Sequence, residues 1–324
     1  MESQSRQKTV LELLNEVEEH ENEHTCQNCG YVQVELFTIC PNCKRRANNP
    51  SMKEWGKQLP IGIEQEDGTF LRSFDMVPLD WPKEREINRH WGASRGNLTL
   101  SSYIGTILAC TVTSIGSQDI TKFKIPKRLL IFNSMYQGDV FYMYAYLRFL
   151  SLGNELPLGQ IRCSSCGHQF PYTADLSSIE VITINKPEEL LHEITLKDGF
   201  EMGGDHKTKL SVKPPLWNML GDTLPKNLNA ADMFLSMLSH SVVSIEGLPE
   251  GAILTENELS QFTKMDIEIC EDVLENVLAG PRWEIEDNCP KCDESFYDLI
   301  DWTYDSFFAI SSRSSRRRRR SRRL

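Results

Sequence analysis

The chain has 324 residues, 25% charged and 40% hydrophobic; at about 150 residues per domain this is a two-domain length with enough apolar content for a core, which excludes collagen-like, mucin-like and wholly disordered chains. Its formal net charge of −11 repels nucleic acid and membrane surfaces, yet Arg313, Arg316, Arg317, Arg318, Arg319, Arg320, Arg322 and Arg323 gather in residues 313–324, so the rest of the chain is more acidic than the total. No uncharged apolar run reaches the ~18 residues of a membrane span, because the most apolar stretch, 129–150, is broken by Asn133, Gln137, Asp139 and Arg148.

Residues 1–24 open with Met-Glu-Ser-Gln-Ser-Arg, which has no secretory apolar stretch. Val10, Leu13, Leu14 and Val17 then recur at helical spacing beside acidic residues. This predicts an acidic amphipathic helix, docked on the body of the protein or on a partner. Residues 25–47 predict a zinc ribbon, because Cys26-Gln-Asn-Cys29 and Cys40-Pro-Asn-Cys43 form two knuckles. Two thiolates three residues apart grip one metal from a tight turn, and four complete a tetrahedral Zn2+ site. Gly30 supplies the positive φ that such a turn needs, and residues 32–39 alternate as a strand. A redox pair or free thiols is the competing reading. His24 is either a substitute ligand or a surface residue. So small a module has little core, so metal binding would supply its folding energy. Residues 48–60, with Asn48-Asn49-Pro50, read as a linker.

From residue 61 the pattern reads twice. Ile63 to Gly68 matches Ile194 to Gly199, each a predicted hairpin with an Asp-Gly turn. Val77-Pro-Leu79-Asp-Trp81 is followed in kind by Val212-Lys-Pro-Pro-Leu216-Trp217, and Thr111 to Ile115 matches Ser241 to Ile245. Asp139 to Gly153 aligns without a gap with Asp266 to Gly280, pairing Val140 with Ile267, Met143 with Cys270, Leu147 with Leu274 and Leu150 with Val277. That spacing predicts two helices, each ending at a glycine cap. A knuckle follows each helix, Cys163-Ser-Ser-Cys166 and Cys289-Pro-Lys-Cys292. The predicted units are 61–180 and 181–310, each a hairpin, two helices and a Cys-x-x-Cys; chance matching of amphipathic helices is the alternative. A pseudo-two-fold arrangement would bring both knuckles to one metal. Four thiolates leave no open coordination position, so such a site is a clamp and not a catalyst.

Cys-x-x-Cys pairs are not the mark of a disulfide framework, so a reducing cytoplasm is expected. Cys110 and Cys270 sit in apolar helical settings and read as core. His168 could replace a missing thiolate but reads more simply as surface. His192 and His240 read as structural residues on helices. The aromatic second helix, with Tyr136, Phe141, Tyr142, Tyr144, Tyr146 and Phe149, reads as central core in preference to a base-stacking platform. Residues 311–324 are predicted to be disordered. Their arginines would bind phosphate backbones, dock on an acidic protein surface, or remain solvated. No HExxH, GxSxG, Walker or GxGxxG motif is present, and a non-enzymatic protein is expected.

The string from Met135-Tyr-Gln-Gly-Asp139 through Leu152-Gly153, with Ile161-Arg-Cys163-Ser-Ser-Cys166-Gly167 and Asp175-Leu-Ser-Ser-Ile-Glu-Val181, resembles the baseplate hub assembly proteins or tail assembly chaperones of contractile-tailed phages. Leu196-Lys-Asp198-Gly199, Cys289-Pro-Lys-Cys292 and Phe307-Phe308 fit the same pattern. The resemblance covers residues 61–310; the ribbon and the arginine segment depart from it. It implies a non-enzymatic role in building a tail or baseplate, with phage tail or baseplate proteins as partners, in the host cytoplasm or the virion. The expected fold is α+β, a zinc ribbon followed by two repeated units and an arginine-rich tail. The alternative function is a zinc-ribbon adaptor that holds nucleic acid through that tail.

Overall fold

The computed structural model describes residues 24–25, 32–33, 56–65, 67–93, 100–218, 230–249, 252–300 and 307–308. The expected N-terminal helix, the ribbon cysteines Cys26, Cys29, Cys40 and Cys43, and the arginines of 313–323 lie outside the described residues. Those described form a mixed α and β protein with seven α-helices and several small sheets. No described helix is long and apolar enough to cross a membrane.

Two short strands, β1 (His24–Thr25) and β2 (Val32–Gln33), pair antiparallel. The body starts with the hairpin β3 (Gln58–Glu64) and β4 (Phe70–Met76). Its turn is the expected Asp67-Gly68, with Gly68 at φ 78°. Helices α1 (Trp81–Ala93) and α2 (Leu100–Thr111) follow, and α2 runs directly into β5 (Val112–Ile115). With β6 (Gln118–Asp119) this gives the sheet order β3-β4-β5-β6. Next come α3 (Ile125–Asn133), with a proline in its first turn, and α4 (Gln137–Leu152).

Helix α4 runs through the apolar cluster that it shares with β3–β5, α2 and α3. Every residue from Gly138 to Arg148 is buried, as a helix apolar on all sides must be. Tyr142 and Tyr146 meet Phe74 edge-on, Phe141 meets Trp217 and Trp283, and Tyr144 stacks on Phe307. These aromatic residues are core, and Gly153 caps the helix at φ 81°. Arg148 is buried, and its described partners are backbone carbonyls. Its guanidinium donates to the carbonyls of Phe307 at 2.7 Å, Gly153 at 3.0 Å and Glu155 at 2.6 Å.

The hairpin β7 (Glu155–Arg162) and β8 (Gln169–Asp175) leads to β9 (Val181–Ile182). A second hairpin of long strands, β10 (His192–Met202) and β11 (Asp205–Val212), precedes α5 (Ala230–Ser241). Helix α5 runs into β12 (Val242–Ile245), giving the sheet β10-β11-β12. Then come α6 (Glu256–Leu259), α7 (Lys264–Val277) and β13 (Gly280–Pro281), which pairs back with β9. The hairpin β14 (Glu284–Asn288) and β15 (Ser295–Leu299) closes the series.

The two larger sheets share a register. Phe74, Asp75 and Met76 face Ile115, Ser114 and Val112; Leu210, Ser211 and Val212 face Ile245, Ser244 and Val242, with a shift before the last pair in each case. The helices that run into β5 and β12 each end on a hydroxyl residue that bonds back four residues, Thr111 to Ile107 and Ser241 to Met237. Their carbonyls accept the N–H of Val77 and Lys213 respectively, both at 2.8 Å.

Three local expectations are corrected. Asp198-Gly199 is not the hairpin turn; it forms a bulge inside β10, and the chain reverses at Gly203-Gly204. An Asp-Gly pair marks a need for positive φ, which a bulge satisfies as well as a turn does. Helix α7 ends at Leu278 in extended geometry and not at a glycine cap. Gly280, at φ 117°, instead lies against the backbone of Gly138. His192 opens a strand and not a helix, while His240 is in α5.

Candidate metal centre

The hairpins β7–β8 and β14–β15 each carry one Cys-x-x-Cys at the tip, and the fold sets the tips together. In the first, Cys163 N–H donates to His168 O at 2.9 Å and Gly167 N–H to Cys163 O at 3.0 Å. In the second, Cys289 N–H donates to Glu294 O and Asp293 N–H to Cys289 O, both at 2.9 Å. Both knuckles need a left-handed residue after the second cysteine. Gly167 takes it at φ 68°, and Asp293 at φ 59° is the non-glycine counterpart, since Asp tolerates this region better than most side chains.

The Sγ atoms of Cys163, Cys166, Cys289 and Cys292 all lie within 4.8 Å of one another. Cys163 faces Cys292 at 3.7 Å and Cys166 faces Cys289 at 3.8 Å, so each knuckle meets the other inner thiol to outer thiol. Cys163 and Cys289 are buried, Cys166 is exposed and Cys292 is intermediate. The separations are far longer than the ~2.05 Å of a disulfide. They match the edge of a tetrahedron with metal–sulfur bonds of about 2.3 Å, which is about 3.8 Å. The donor set fits a soft or borderline divalent ion, and the cluster could hold one.

The thiols do not ionise alike. The backbone N–H groups of Cys166 and Ser165 pull Cys163 down to about 7. The N–H of Glu294 favours the Cys292 thiolate, but burial and the bonds with Cys166, Cys163 and Cys289 outweigh it and push that thiol up to about 12. Four thiolates at this spacing repel one another, and a divalent cation removes the conflict. Beneath the cluster, Ile161, Phe170 and Phe296 form a small apolar base with the two buried cysteines. Phe170 and Tyr172 both meet Phe296 edge-on, and Tyr172 Oη donates to Asp287 Oδ2 at 2.8 Å across the hairpins.

Of the candidate ligands, the structure thus joins Cys163, Cys166, Cys289 and Cys292. His168 is not among them; it stacks on Phe170. Cys110 and Cys270 are buried in the core, and burial pushes each thiol up to about 12.

Two buried carboxylates carry a role that spacing did not reveal. Asp139, in the first turn of α4, accepts the N–H of Ile61 at 2.8 Å and of Gly62 at 2.9 Å. Asp266, in the first turn of α7, accepts those of Lys197 at 2.7 Å and Asp198 at 3.1 Å. Each ties the start of a helix to the bulge of a hairpin's first strand. The available signal was that both gapless segments begin with aspartate.

These features define a mixed α/β protein with a cluster of four cysteines between two hairpins that could hold a metal ion and no catalytic constellation among the described residues. The family described as T4 bacteriophage base plate protein matches residues 116–309, more than half of the chain, and the chain belongs to that family. It is a phage baseplate-related protein. No curated protein and no solved structure matches it.

Proposed function

We propose that this is a non-enzymatic assembly protein of a contractile phage tail or baseplate, built from two related units, 61–180 and 181–310, that a structural zinc clamps together. The observation that carries the reading is the family match, whose span 116–309 contains both halves of the cysteine cluster. The shared sheet register and the paired Asp139 and Asp266 contacts support the two units. Helical faces of the units bind a tail or baseplate component, as a chaperone that is released or as a hub-associated part of the virion. Four thiolates with no histidine or carboxylate ligand favour Zn2+ in a structural role. Cys26, Cys29, Cys40 and Cys43 would hold a second zinc in the N-terminal ribbon. The nucleic-acid adaptor gains nothing from the family match.

An affinity capture of the full chain from infected cells, with nuclease treatment and mass spectrometry, tests the partner. Tail or baseplate proteins retained after nuclease are expected; their absence would overturn the assembly role. Purified particles then distinguish a virion component, which is present in them, from a released chaperone. Metal analysis tests the clamp separately. Two zinc ions per chain are expected, falling to one in a Cys163→Ser/Cys289→Ser variant; unchanged zinc in that variant would remove the shared site.

A further inference from the structure

The four cysteines support a second chemistry besides metal binding. Each pair that meets across the hairpins joins an accessible thiol to a buried one. Cys166 is exposed and faces Cys289, which is 1% exposed, at 3.8 Å. Cys292 is partly exposed and faces Cys163, also 1% exposed, at 3.7 Å. To form a disulfide of ~2.05 Å, the sulfurs of each pair must approach by about 1.7 Å. The accessible thiol is the one an oxidant reaches. The buried thiol beside it is placed to resolve the oxidised sulfur and is itself shielded from further oxidation.

The alignment of the tips does not depend on a metal alone. Ile161, Phe170 and Phe296 pack beneath them with Cys163 and Cys289, and Tyr172 donates to Asp287 across the same hairpins at 2.8 Å. These contacts hold the tips in register once a metal leaves. Each knuckle is pinned by its own backbone bonds, Gly167 N–H to Cys163 O at 3.0 Å and Asp293 N–H to Cys289 O at 2.9 Å. A disulfide inside a knuckle would distort that turn. One across the hairpins needs side-chain rotation and a small approach of the tips.

We infer that the cluster is a peroxide-oxidisable site that closes as two cross-hairpin disulfides, Cys166 with Cys289 and Cys163 with Cys292, when no metal holds it. Hydrogen peroxide is the co-reactant. First, the Cys166 sulfur attacks one peroxide oxygen. An S–O bond forms, the O–O bond breaks, and the thiol proton leaves with the departing hydroxide as water, giving a sulfenic acid. Next, the Cys289 sulfur attacks the Cys166 sulfur. The S–S bond forms, the S–O bond breaks, and the hydroxyl leaves as water with the Cys289 proton. Two thiols are thus oxidised and one peroxide is reduced to two waters. Cys292 and Cys163 react in the same way. The link between the hairpins passes from a metal to covalent bonds, so loss of the metal under oxidising conditions does not part them. The inference rests on the shared-cluster part of the proposed function and not on the identity of the metal.

The test treats the full-length protein with about 1 mM hydrogen peroxide in the presence of a zinc chelator. Remaining thiols are blocked, and a non-reducing tryptic digest is read by tandem mass spectrometry. Trypsin cuts after Lys291, between Cys289 and Cys292, whereas Cys163 and Cys166 stay on one peptide. Cross-hairpin bonds therefore join three peptides, while bonds inside the knuckles join the Cys289 and Cys292 peptides to each other alone. The three-peptide species should dominate, with fragmentation placing Cys166 on the Cys289 peptide and Cys163 on the Cys292 peptide. Cys163→Ser/Cys292→Ser, which keeps Cys166 and Cys289, should form its disulfide about tenfold faster than Cys166→Ser/Cys292→Ser, which keeps the two buried thiols. Circular dichroism identifies the folded variants to be scored, and the map of the unaltered chain stands without them. Bonds inside the knuckles, the swapped pairing, bonds between two chains, a cluster that stays reduced or goes to sulfinic acid, or equal rates in the folded variants each overturn the inference. Zinc content is measured before oxidation. A protein purified without zinc that yields the three-peptide species supports this inference while removing zinc from the clamp.

Discussion

Asp139 and Asp266 perform the same structural task in opposite electrostatic circumstances. Burial raises Asp139 to about 6, against the pull of the Ile61 and Gly62 N–H groups and of Arg72. For Asp266 burial also acts upward, but the Asp198 N–H, the Thr263 hydroxyl and the Lys197 N–H win and hold it below the ordinary carboxylate range. The consequences for stability have opposite signs. With a folded pKa above the ordinary 3.8, Asp139 favours the fold fully below about pH 4, and that contribution is lost as pH rises through about 6. Asp266 contributes above the ordinary carboxylate pKa and loses its contribution as pH falls through its depressed folded value. In urea unfolding, the stability of the native protein minus that of Asp139→Asn should therefore fall by about 2 kcal/mol between pH 4 and pH 6. A flat or rising difference would contradict the assignment. Asp139→Ala leaves two buried N–H groups without acceptors and should cost about 2–5 kcal/mol near neutral pH.

At the scale of elements, the tightest junction is between α4 and β13. A Cβ on Gly138 would stand 1.9 Å from the carbonyl oxygen of Ala279, and one on Gly280 would stand 2.7 Å from Gly138 Cα. Neither contact can be relieved by rotating a side chain, because both are with backbone. Gly138→Ala should destabilise the protein by about 1–3 kcal/mol or more, seen as a lowered urea midpoint with an unchanged slope. A midpoint equal to that of the unaltered chain would show that the junction opens freely. Helix α4 was legible in the sequence, since its aromatic and aliphatic residues recur on all sides and a glycine follows. The hairpin β3–β4 was legible through Asp67-Gly68. The second hairpin was misread one step early, because Asp198-Gly199 carries the same local signal at a bulge. The role of Gly280 was hidden as well: it is fixed by Gly138, a residue far away in sequence, and not by the end of α7.

For the whole molecule, the thiol cluster links segments separated by 129 residues, from Cys163 to Cys292. Spacing identified each knuckle as half of a site, but only the fold could bring the halves together. A metal held there binds the native arrangement and not the unfolded chain, so it adds stability by mass action. The sequence pattern anticipated the hairpin β3–β4 and the helices α2 and α4, but not every element around them. The first stretch carries α1, α3 and β6 beyond the expected hairpin and two helices. These additions lie between the matched segments and leave the shared register untouched, which is why a pattern search passed over them.

The three carbonyls that receive Arg148 have a consequence for how the chain comes off the ribosome. Two of them, at Gly153 and Glu155, emerge soon after the arginine itself, but the third belongs to Phe307. Synthesis proceeds from the N-terminus, and distant contacts wait for their later partner. Until Phe307 arrives, α4 is already made but the Tyr144 ring lacks its stack on Phe307 and a buried cation lacks one of its acceptors. Cys163 and Cys166 wait in the same way for Cys289 and Cys292. A nascent or prematurely halted chain therefore displays apolar surface and half a set of thiols, and closure of the fold is restricted to copies translated through to Phe307.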